Sequence, residues 1–518
     1  MTDYVIVGAG SAGCVLAGRL TEDPTAHVTL IEAGGPDNAP EIHIPVALGQ
    51  LGKSQFDWDY QSQPEPGLDD RFVYLPRGKT LGGSSSINAM IYIRGNRADY
   101  DGWAADGAKG WSYNEVLPYF RKAESNEHGE DQFHGKLGPL SVCNGRSRNP
   151  LMDAFVQACV EAGHPLNSDF NGASQDGVGL YQVTQRNGMR CSTAAAYLHP
   201  AISRPNLKVL TDALATRILF EGNRASGVEI MRNGQVEEVR ADTEVILAAG
   251  TYNSPQLLLL SGIGPAAHLA ALQISVRHDL PVGIGLQDHP AVFMSWYTDT
   301  ETLMTAQTSE NVALLQNEGR GPLTSNLAEA GGFFRTRAGL EAPDVQFHAL
   351  PVMFSHQGSI APTAHVVTLG PCVLKPSSRG KVSLRSANPK TKPKVVHNYF
   401  AAPEDRQSMM DGIRIGLEIA AQPAMRAHIE GPHMVPKSGS ETDVWEYAQR
   451  CTQTLYHPTS TCPIGPVVDS QLRVRGIDRL RVVDASVMPS VVRGNTNAPT
   501  IMIAERAADL IRGIAGAS

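Results

Sequence analysis

The sequence has no long hydrophobic run and no concentration of basic charge. No apolar stretch reaches the ~18 residues that a membrane-spanning helix needs, so no integral membrane segment is expected. Lys and Arg number 44 against 52 Asp and Glu, for a formal net charge of −8, and they form no basic cluster. Because nucleic acids are bound through positive charge, nucleic acid is not an expected partner.

Cysteine is sparse and scattered. The seven cysteines form no C-x-x-C pair, which disfavours a disulfide framework and a zinc site, so no metal is expected. The first strand begins at Tyr4 without a preceding basic and apolar leader, so no signal peptide is expected. These features together predict a protein of the reducing cytoplasm.

Length and glycine content point to an enzyme with two domains or with one large discontinuous domain. A chain of 518 residues exceeds what one ordinary core accommodates. Its 50 glycines and 34 prolines are typical of many tight turns and of backbone that approaches a ligand closely.

Residues 4–32 carry the strongest local pattern. The β-branched run 4–7 predicts a buried parallel strand, residues 14–20 have helical character, and residues 28–31 predict a second strand. This strand–helix–strand order is the start of a nucleotide-binding fold.

Three glycines and one carboxylate sit at defined places in this unit. Gly8, Gly10 and Gly13 have G-x-G-x-x-G spacing, which permits a tight turn, a close approach to a pyrophosphate, and close packing of helix on strand. Glu32 ends the second strand, where a carboxylate accepts hydrogen bonds from ribose hydroxyls and repels a 2′-phosphate. The unit predicts binding of NAD or FAD rather than NADP.

A second glycine-rich segment lies at residues 74–103. Gly82 and Gly83 precede three serines and Asn88, and the following Ala89, Met90 and Ile91 indicate a buried segment. Buried serines and glycines need partners for their polar groups, and a diphosphate and a flat ring would supply them.

The centre of the chain predicts further strands. Residues 206–220 predict strand, turn and strand, and residues 245–250 predict a buried parallel strand. Between about residues 291 and 449 several segments alternate and are rich in β-formers, as in an antiparallel sheet.

Three long motifs resemble a known family. Residues 74–103, YLPRGKTLGGSSSINAMIYIRGNRADYDGW, resemble the first signature of the glucose–methanol–choline (GMC) oxidoreductases. Residues 250–265 resemble the second signature, and residues 482–511 resemble the closing segment. The resemblance implies FAD as cofactor, with the flavin ring over residues 82–90. Some members attach the flavin through a histidine, but the matching position here is Ile87, so noncovalent FAD is implied.

The motifs and the resemblance together define an expected cofactor site. The predicted cofactor-binding residues are Gly8, Gly10, Ser11, Ala12, Gly13, Glu32, Ala33, Gly82, Gly83, Ser84, Asn88, Ala89, Met90, Ile91, Ala215, Ala249, Asp484, Ala485, Pro499 and Thr500. The last helix is expected over residues 500–511, with its N-terminus towards the flavin.

The expected fold class is mixed α/β. A Rossmann-like FAD-binding domain is predicted over residues 1–155, 195–290 and 450–518. A substrate-binding domain, built on an antiparallel sheet covered by helices, is predicted over residues 156–194 and 291–449.

Oxidation of an alcohol by FAD needs a base for the hydroxyl proton and a polar group for the oxygen. Histidine suits the base because its pKa lies near neutral pH. By the resemblance, His457 in LYHPTSTCPIG falls on the catalytic histidine and Asn497 in GNTNAPT falls on its partner. His348 is a candidate for the substrate pocket, and Glu329 is a weaker candidate for binding a cation.

The expected enzyme is an FAD-dependent alcohol dehydrogenase or oxidase that converts a primary alcohol to a carbonyl. The acceptor, either oxygen or a quinone- or dye-type compound, stays open, as does the choice among aromatic, aliphatic and choline-like alcohols. The main alternative is an FAD-containing hydroxynitrile lyase. A photodecarboxylase is disfavoured because it would not need the base histidine of the intact YHPTSTC. A binding module without catalysis is disfavoured because it would not need the pair of His457 and Asn497.

Overall fold

The computed structural model describes residues 2–354 and 361–514. Its α-helices are α1 Ser11–Leu20, α2 Pro40–His43, α3 Arg97–Ala105, α4 Tyr113–Ala123, α5 Pro150–Glu161, α6 Gly250–Leu260, α7 Ala266–Ala271, α8 Ser309–Glu318, α9 Pro403–Ala420, α10 Pro423–Arg426, α11 Glu441–Cys451 and α12 Asn497–Ile511.

The strands are short and distributed along the whole chain. They are β1 Tyr4–Val7, β2 Val28–Ile31, β3 Tyr60–Gln61, β4 Tyr74–Leu75, β5 Glu124–Asn126, β6 Leu140–Asn144, β7 Gly177–Leu180, β8 Gln182–Val183, β9 Gln185–Arg186, β10 Met189–Arg190, β11 Leu207–Leu210, β12 Ala213–Glu221, β13 Arg224–Arg232, β14 Gln235–Arg240, β15 Glu244–Leu247, β16 Ile284–Leu286, β17 Pro290–Ala291, β18 Met294–Tyr297, β19 Ala330–Phe334, β20 Val345–Leu350, β21 Val366–Val373, β22 Gly380–Ser383, β23 Lys394–Val396, β24 Gly431–Met434, β25 Gln453–Thr454 and β26 Leu480–Val482.

A five-stranded parallel sheet forms the first layer, in the order β11-β2-β1-β15-β26. Strands β1, β2 and β15 are almost wholly apolar and buried, as expected where both faces of a parallel sheet are covered. The turn from β1 into α1 lies beside residues 248–249, which follow β15. The Rossmann-like architecture predicted from residues 4–32 is therefore confirmed.

Helix α1 packs unusually close to the sheet because residue 13 has no side chain. A Cβ on Gly13 would lie 1.8 Å from the carbonyl oxygen of Gly8. No relaxation of the backbone could relieve such an overlap without moving the helix away. Gly13 thus fixes where the N-terminus of α1 points.

A buried ion pair joins α1 to α12. The guanidinium of Arg19 donates to both carboxylate oxygens of Glu505, at 2.8–3.1 Å, and the hydroxyl of Tyr197 donates to Oε1 of Glu505 at 2.8 Å. The Glu505 side chain is fully buried. The two helices whose N-termini face the same cavity are therefore held together by charge as well as by packing.

The second layer is a largely antiparallel sheet of eight strands. Its main order is β24-β18-β21-β20-β19-β7, and the short strands β17 and β25 pair with each other beside β21. In β20 the side chains alternate: Val345, Phe347 and Ala349 enter the core that includes α9, whereas His348 and Leu350 line a cavity.

The predicted domain boundaries fall close to the edges of these layers. All five parallel strands lie within 1–155, 195–290 and 450–518, whereas β17, β25 and helix α5 join the antiparallel side although the prediction put them, in whole or part, with the cofactor. The boundaries themselves stay a prediction.

Two predicted elements have different bounds in the structure, and part of the region 291–449 belongs to a different sheet. The strand expected at 245–250 ends at Leu247, because Gly250 has φ +83° and begins α6. Helix α12 begins at Asn497, before the expected Thr500, because Thr496 is its N-terminal capping residue. Residues 380–383 belong to a separate three-stranded sheet, β16-β22-β23.

All seven cysteines are free thiols, and six of them are buried. Within residues 2–354 and 361–514 no cluster of His, Cys, Asp and Glu is suited to a metal ion. No helix in this part of the chain is both long and apolar enough to cross a bilayer.

Replacement of Glu505 by Gln is expected to lower the free energy of unfolding by about 3 kcal/mol, because it leaves the Arg19 guanidinium without its buried counter-charge. The matched control is Glu22→Gln, which removes the exposed partner of the same arginine and should cost less than about 1 kcal/mol. Urea unfolding of both variants measures the difference. Equal losses would show that burial of this ion pair does not matter.

Candidate active site

One large cavity lies where the two layers meet. It has a volume of about 1050 Å³, at the upper end of the ~300–1,000 Å³ typical of ligand sites. Its walls come from the carboxyl ends of β1, β2 and β15, from residues 83–91, from β20, and from residues 455–458 and 495–500. Ligands of α/β sheets bind at such carboxyl edges.

The N-terminus of α1 faces this cavity without a side-chain cap. Its first amide groups and the positive end of the helix dipole are therefore available to a negatively charged ligand. A Cβ on Gly10 would have no protein atom closer than 3.9 Å, so the missing side chain leaves room in the cavity itself. These features fit the diphosphate of a dinucleotide such as FAD.

Two buried carboxylates are held by backbone amides at the edge of the sheet. Glu32 accepts from the amides of Ala9 and Gly34, each at 2.9 Å, and burial raises its pKa to about 7 against the lowering effect of these bonds. Asp484 accepts from the amides of Gly250 at 2.9 Å and Ser486 at 2.8 Å, and burial raises its pKa as well. The two carboxylate oxygens of Glu32 thus hold the backbone at Ala9 and Gly34 in place beside the nucleotide site.

Most of the predicted cofactor-binding residues do line the cavity. Those that line it are Gly8, Gly10, Ser11, Ala12, Glu32, Ala33, Gly83, Ser84, Asn88, Ala89, Met90, Ile91, Ala215, Ala249, Asp484, Ala485 and Thr500. Gly13, Gly82 and Pro499 do not. Gly13 packs α1 on the β1 turn, Gly82 turns the chain at φ +84° while its amide donates to the Ala9 carbonyl, and Pro499 is buried in the first turn of α12.

His457 is positioned by two short paired strands. Strand β25 precedes it and pairs with β17, which follows His289. The carboxylate Oδ1 of Asp288 accepts from the amides of both His289 at 2.9 Å and His457 at 2.8 Å. The two imidazoles consequently lie side by side, with their Nδ1 atoms 3.0 Å apart.

The carboxamide beside His457 is that of Asn495, and the predicted pairing with Asn497 is corrected. Nδ2 of Asn495 lies 3.3 Å from Nε2 of His457. Asn497 is the first residue of α12, and its Oδ1 accepts from the Ser11 hydroxyl at 2.7 Å. Its side chain therefore faces the N-terminus of α1, whereas the loop residue Asn495 faces the antiparallel sheet.

A polar side chain on β20 orients this carboxamide. Nε2 of Gln346 donates to Oδ1 of Asn495 at 3.2 Å and to the Tyr181 hydroxyl at 3.0 Å. Because Oδ1 of Asn495 is occupied in this way, its NH2 group is turned towards His457. Motifs alone did not identify Gln346, Asp288 or His289.

The three histidines at the site are uncharged at neutral pH. Burial lowers the pKa of His457 well below its ordinary value, and the neighbouring His289, His348 and Arg77 lower it further. Burial also lowers the pKa of His289 to about 4 and that of His348 to about 3. His457 is therefore a free base over the whole neutral range.

His348 lines the cavity from β20. It is 3% exposed, and neither ring nitrogen has a hydrogen-bond partner within residues 2–354 and 361–514. A buried imidazole in this situation is a candidate for contact with a ligand. Glu329, by contrast, accepts from Ser325 and from the amide of Asn149 and does not line the cavity, so its role is structural.

The wall near β20 is apolar. An apolar cluster contributes these cavity residues: Val46, Ala89, Ile91, Phe293, Leu303, Ala306, Leu323, Leu327, Ala328, Leu350, Val352, Phe354 and Leu455. Phe293 and Phe354 lie with ring centroids 4.9 Å apart. Among the described residues that line the cavity, the carboxylates are Glu32, Glu41 and Asp484.

Comparison with known proteins identifies one family along nearly the whole chain. The GMC oxidoreductase family matches residues 2–291 and residues 376–504. Oxygen-dependent choline dehydrogenase of Photobacterium profundum is 44% identical, over 99% of this chain and 93% of that protein. Alcohol dehydrogenase [acceptor] of Pseudomonas putida is also 44% identical, over 99% of this chain and 96% of that protein.

Solved structures agree with the sequence relatives. An FAD-dependent oxidoreductase from Chaetomium thermophilum superposes with a TM-score of 0.89 at 28% identity, and the match covers 99% of both chains. The similarity thus spans both layers of the fold and the cavity between them.

Replacement of His348 by Leu is expected to change how stability depends on pH. The folded pKa of about 3 lies below the ordinary histidine value of ~6.5, so the stability due to the neutral imidazole is complete above pH ~6.5. It is lost on acidification, by up to about 1.4 kcal/mol for each pH unit. The variant should therefore gain about 2 kcal/mol relative to the parent between pH 6.5 and 5.

Unfolding of the apoproteins in urea at several pH values measures this difference. His27→Leu, at a histidine whose side chain is half exposed, is the matched control and should show no such gain. A constant difference between the His348 variant and the parent across this pH range would contradict the burial of a neutral His348.

Proposed function

The chain belongs to the GMC oxidoreductase family, and from that premise we propose that it oxidises the CH–OH group of an uncharged primary alcohol to a carbonyl, with His457 as the base. It is an FAD-dependent oxidoreductase of the alcohol dehydrogenase and oxidase type. The observation that supports the proposed chemistry is the meeting of the His457 imidazole and the Asn495 carboxamide in the cavity that also receives the dinucleotide-binding turn.

Asn495 and His457 have different roles at the hydroxyl group of the alcohol. The NH2 group of Asn495 donates a hydrogen bond to the alcohol oxygen, and Nε2 of His457 takes the hydroxyl proton as the C–H bond breaks. Asn495 cannot titrate, so it positions the oxygen without competing for the proton. When bound, FAD would supply the electron sink for the hydride.

The cofactor is held by the residues that line the nucleotide half of the cavity. The uncapped N-terminus of α1 would bind the diphosphate, and Glu32 with residues 213–215 would surround the nucleoside. The first turn of α12 also lines the cavity, where its dipole favours negative charge. Ile87 lines the cavity and carries no nucleophile, so we propose that FAD is bound noncovalently.

The charge near His457 favours a neutral substrate. The Arg77 guanidinium donates to the Tyr456 carbonyl at 2.7 Å and is close enough to lower the pKa of His457. A quaternary ammonium group would meet this positive charge and an apolar wall instead of a carboxylate. Of the two activities in its relatives' names, oxidation of a simple alcohol suits this cavity better than oxidation of choline.

The hydroxynitrile lyase alternative is not favoured. The relatives reported above are named as dehydrogenases. The pairing of a base with a carboxamide that binds the hydroxyl group meets the needs of alcohol oxidation, in which hydride leaves the carbinol carbon. Oxygen and a quinone- or dye-type compound are the two proposed classes of electron acceptor.

His457→Ala is expected to lower the rate of anaerobic flavin reduction by an alcohol by about 10²–10⁴-fold, because the general base is lost. FAD content should not change, since His457 lies on the substrate half of the cavity. Rapid-mixing absorbance measurements give the rate, and His27→Ala is the control. Reduction at the parental rate in the His457 variant would refute its role as the base.

Benzyl alcohol and 1-hexanol are expected to give kcat/KM values at least about 10-fold higher than choline, because choline must desolvate its charge near Arg77 without a compensating carboxylate. Assays with oxygen and with an artificial dye as acceptor separate oxidase from dehydrogenase activity. A preference for choline would contradict the substrate assignment, and cyanide release from a cyanohydrin without flavin reduction would support the lyase.

A further inference from the structure

We propose that His289 is a positioning residue that holds His457 in the tautomer with its proton on Nδ1, so that the lone pair of Nε2 faces the substrate. The inference rests on the proposed function, in which Nε2 of His457 is the base. It assigns a role to a side chain that none of the sequence motifs includes.

The contact between His289 and the Leu374 carbonyl sets the direction of the hydrogen bonds. Nε2 of His289 lies 3.0 Å from the carbonyl oxygen of Leu374, which can only accept. His289 must therefore carry a proton on Nε2. His289 is fully buried, and burial lowers its pKa to about 4, so the ring is neutral at pH 7 and Nδ1 has a lone pair.

The contact between the imidazoles then has one arrangement. The Nδ1 atoms of His289 and His457 are 3.0 Å apart, a distance that requires one proton between them. Because Nδ1 of His289 is an acceptor, the proton belongs to Nδ1 of His457. A neutral His457 has no second proton, so its Nε2 is an acceptor.

The other end of the chain of hydrogen bonds is compatible with this direction. Gln346 donates to Oδ1 of Asn495, which turns the NH2 group of Asn495 towards Nε2 of His457. The directions set from Leu374 and from Gln346 thus agree at His457, although they start on different parts of the fold. An Nε2–H tautomer of His457 would instead place two donors against each other.

The backbone reinforces the arrangement. Asp288 accepts from the amides of both histidines through Oδ1, and its Oδ2 accepts from the Tyr399 hydroxyl at 2.6 Å and from the Thr454 hydroxyl. The two rings are thereby held at an interplanar angle of 87° with centroids 5.2 Å apart. Rotation of the His289 ring would break its bonds to Leu374 and to His457, and rotation of the His457 ring would break the contact between the two Nδ1 atoms.

Other titratable groups face the pair from several elements. Asp288 adjoins His289 in the chain, Lys375 follows β21, and Asp99 lies on α3, where it pairs with Arg493. His348 on β20 and Arg77 act on His457. A change in the pH profile would reflect all of these charges, so the position of the protons is the sharper test.

Neutron diffraction from deuterated crystals of the holoenzyme locates the protons independently of turnover. The expected result is deuterium on Nε2 of His289 and on Nδ1 of His457, with none on Nε2 of His457. Deuterium on Nδ1 of His289, or on Nε2 of His457, would overturn the inference.

Substitutions of His289 separate its two hydrogen bonds. Asn can place an acceptor where Nδ1 stands, whereas Gln can place a donor where Nε2 stands and keeps only the bond to Leu374. The expected anaerobic rate of flavin reduction falls about 10²-fold in His289→Gln and His289→Leu, because the base is no longer held in its productive tautomer. In His289→Asn the rate should stay within about 10-fold of the parental value.

A residue with a merely structural role would give a different pattern. KM for the alcohol and FAD content should stay close to the parental values in the Asn and Gln variants, with the loss confined to kcat. Equal rates in the Asn and Gln variants, or a loss that follows FAD content, would overturn the role of His289.

The two proposals fail in distinguishable ways. Retention of activity in His457→Ala would remove the proposed function and the basis for this role together. Loss of activity in His457→Ala with a parental rate in His289→Leu would remove only the role of His289.

Discussion

Burial of three imidazoles in one small region is the constraint on which the site depends. His289, His348 and His457 are each less than a tenth exposed, and burial keeps all three uncharged at neutral pH. In such surroundings an N–H group without an acceptor, or a lone pair without a donor, costs free energy. The contacts from Leu374 through His289 and His457 to Asn495 avoid this cost for two of the three rings, and they leave a basic nitrogen of His457 facing the cavity.

The same geometry explains why the two layers of the fold must meet. The parallel sheet brings the uncapped N-terminus of α1 and the amide-bound Glu32 to one edge of the cavity. The antiparallel sheet brings Gln346 and His348 on alternate positions of β20, and the paired strands β17 and β25 bring the two histidines together. The cavity is thus polar where a diphosphate fits and largely apolar where a substrate fits.

Much of the cofactor half could be predicted from the sequence, because its signals are local. Gly8, Gly10 and Glu32 lie within one strand–helix–strand unit, and the glycines have roles that spacing alone indicates. Residues 83–91 were recognisable from one continuous motif. Gly13, Gly82 and Pro499, which belong to the same predicted set, do not line the cavity, and Gly13 serves the close packing of helix on strand that its spacing indicates.

The substrate half was less predictable, because its contacts join distant parts of the chain. His–Pro occurs at His164, His199, His289 and His457, so the dipeptide alone did not identify His289 as the histidine that pairs with His457. Asn495 and Asn497 have nearly the same local sequence, and only the start of α12 decides that one faces His457 and the other faces Ser11.

By itself, the sequence determined the nucleotide-binding unit and the family, and it drew attention to the histidine at residue 457, since each depends on residues close together in the chain or on long motifs. The tertiary structure decided which carboxamide meets that histidine and which imidazole stands behind it. The physical reason is that hydrogen-bond direction at a buried site is set by partners from several strands, and no local pattern records their orientation.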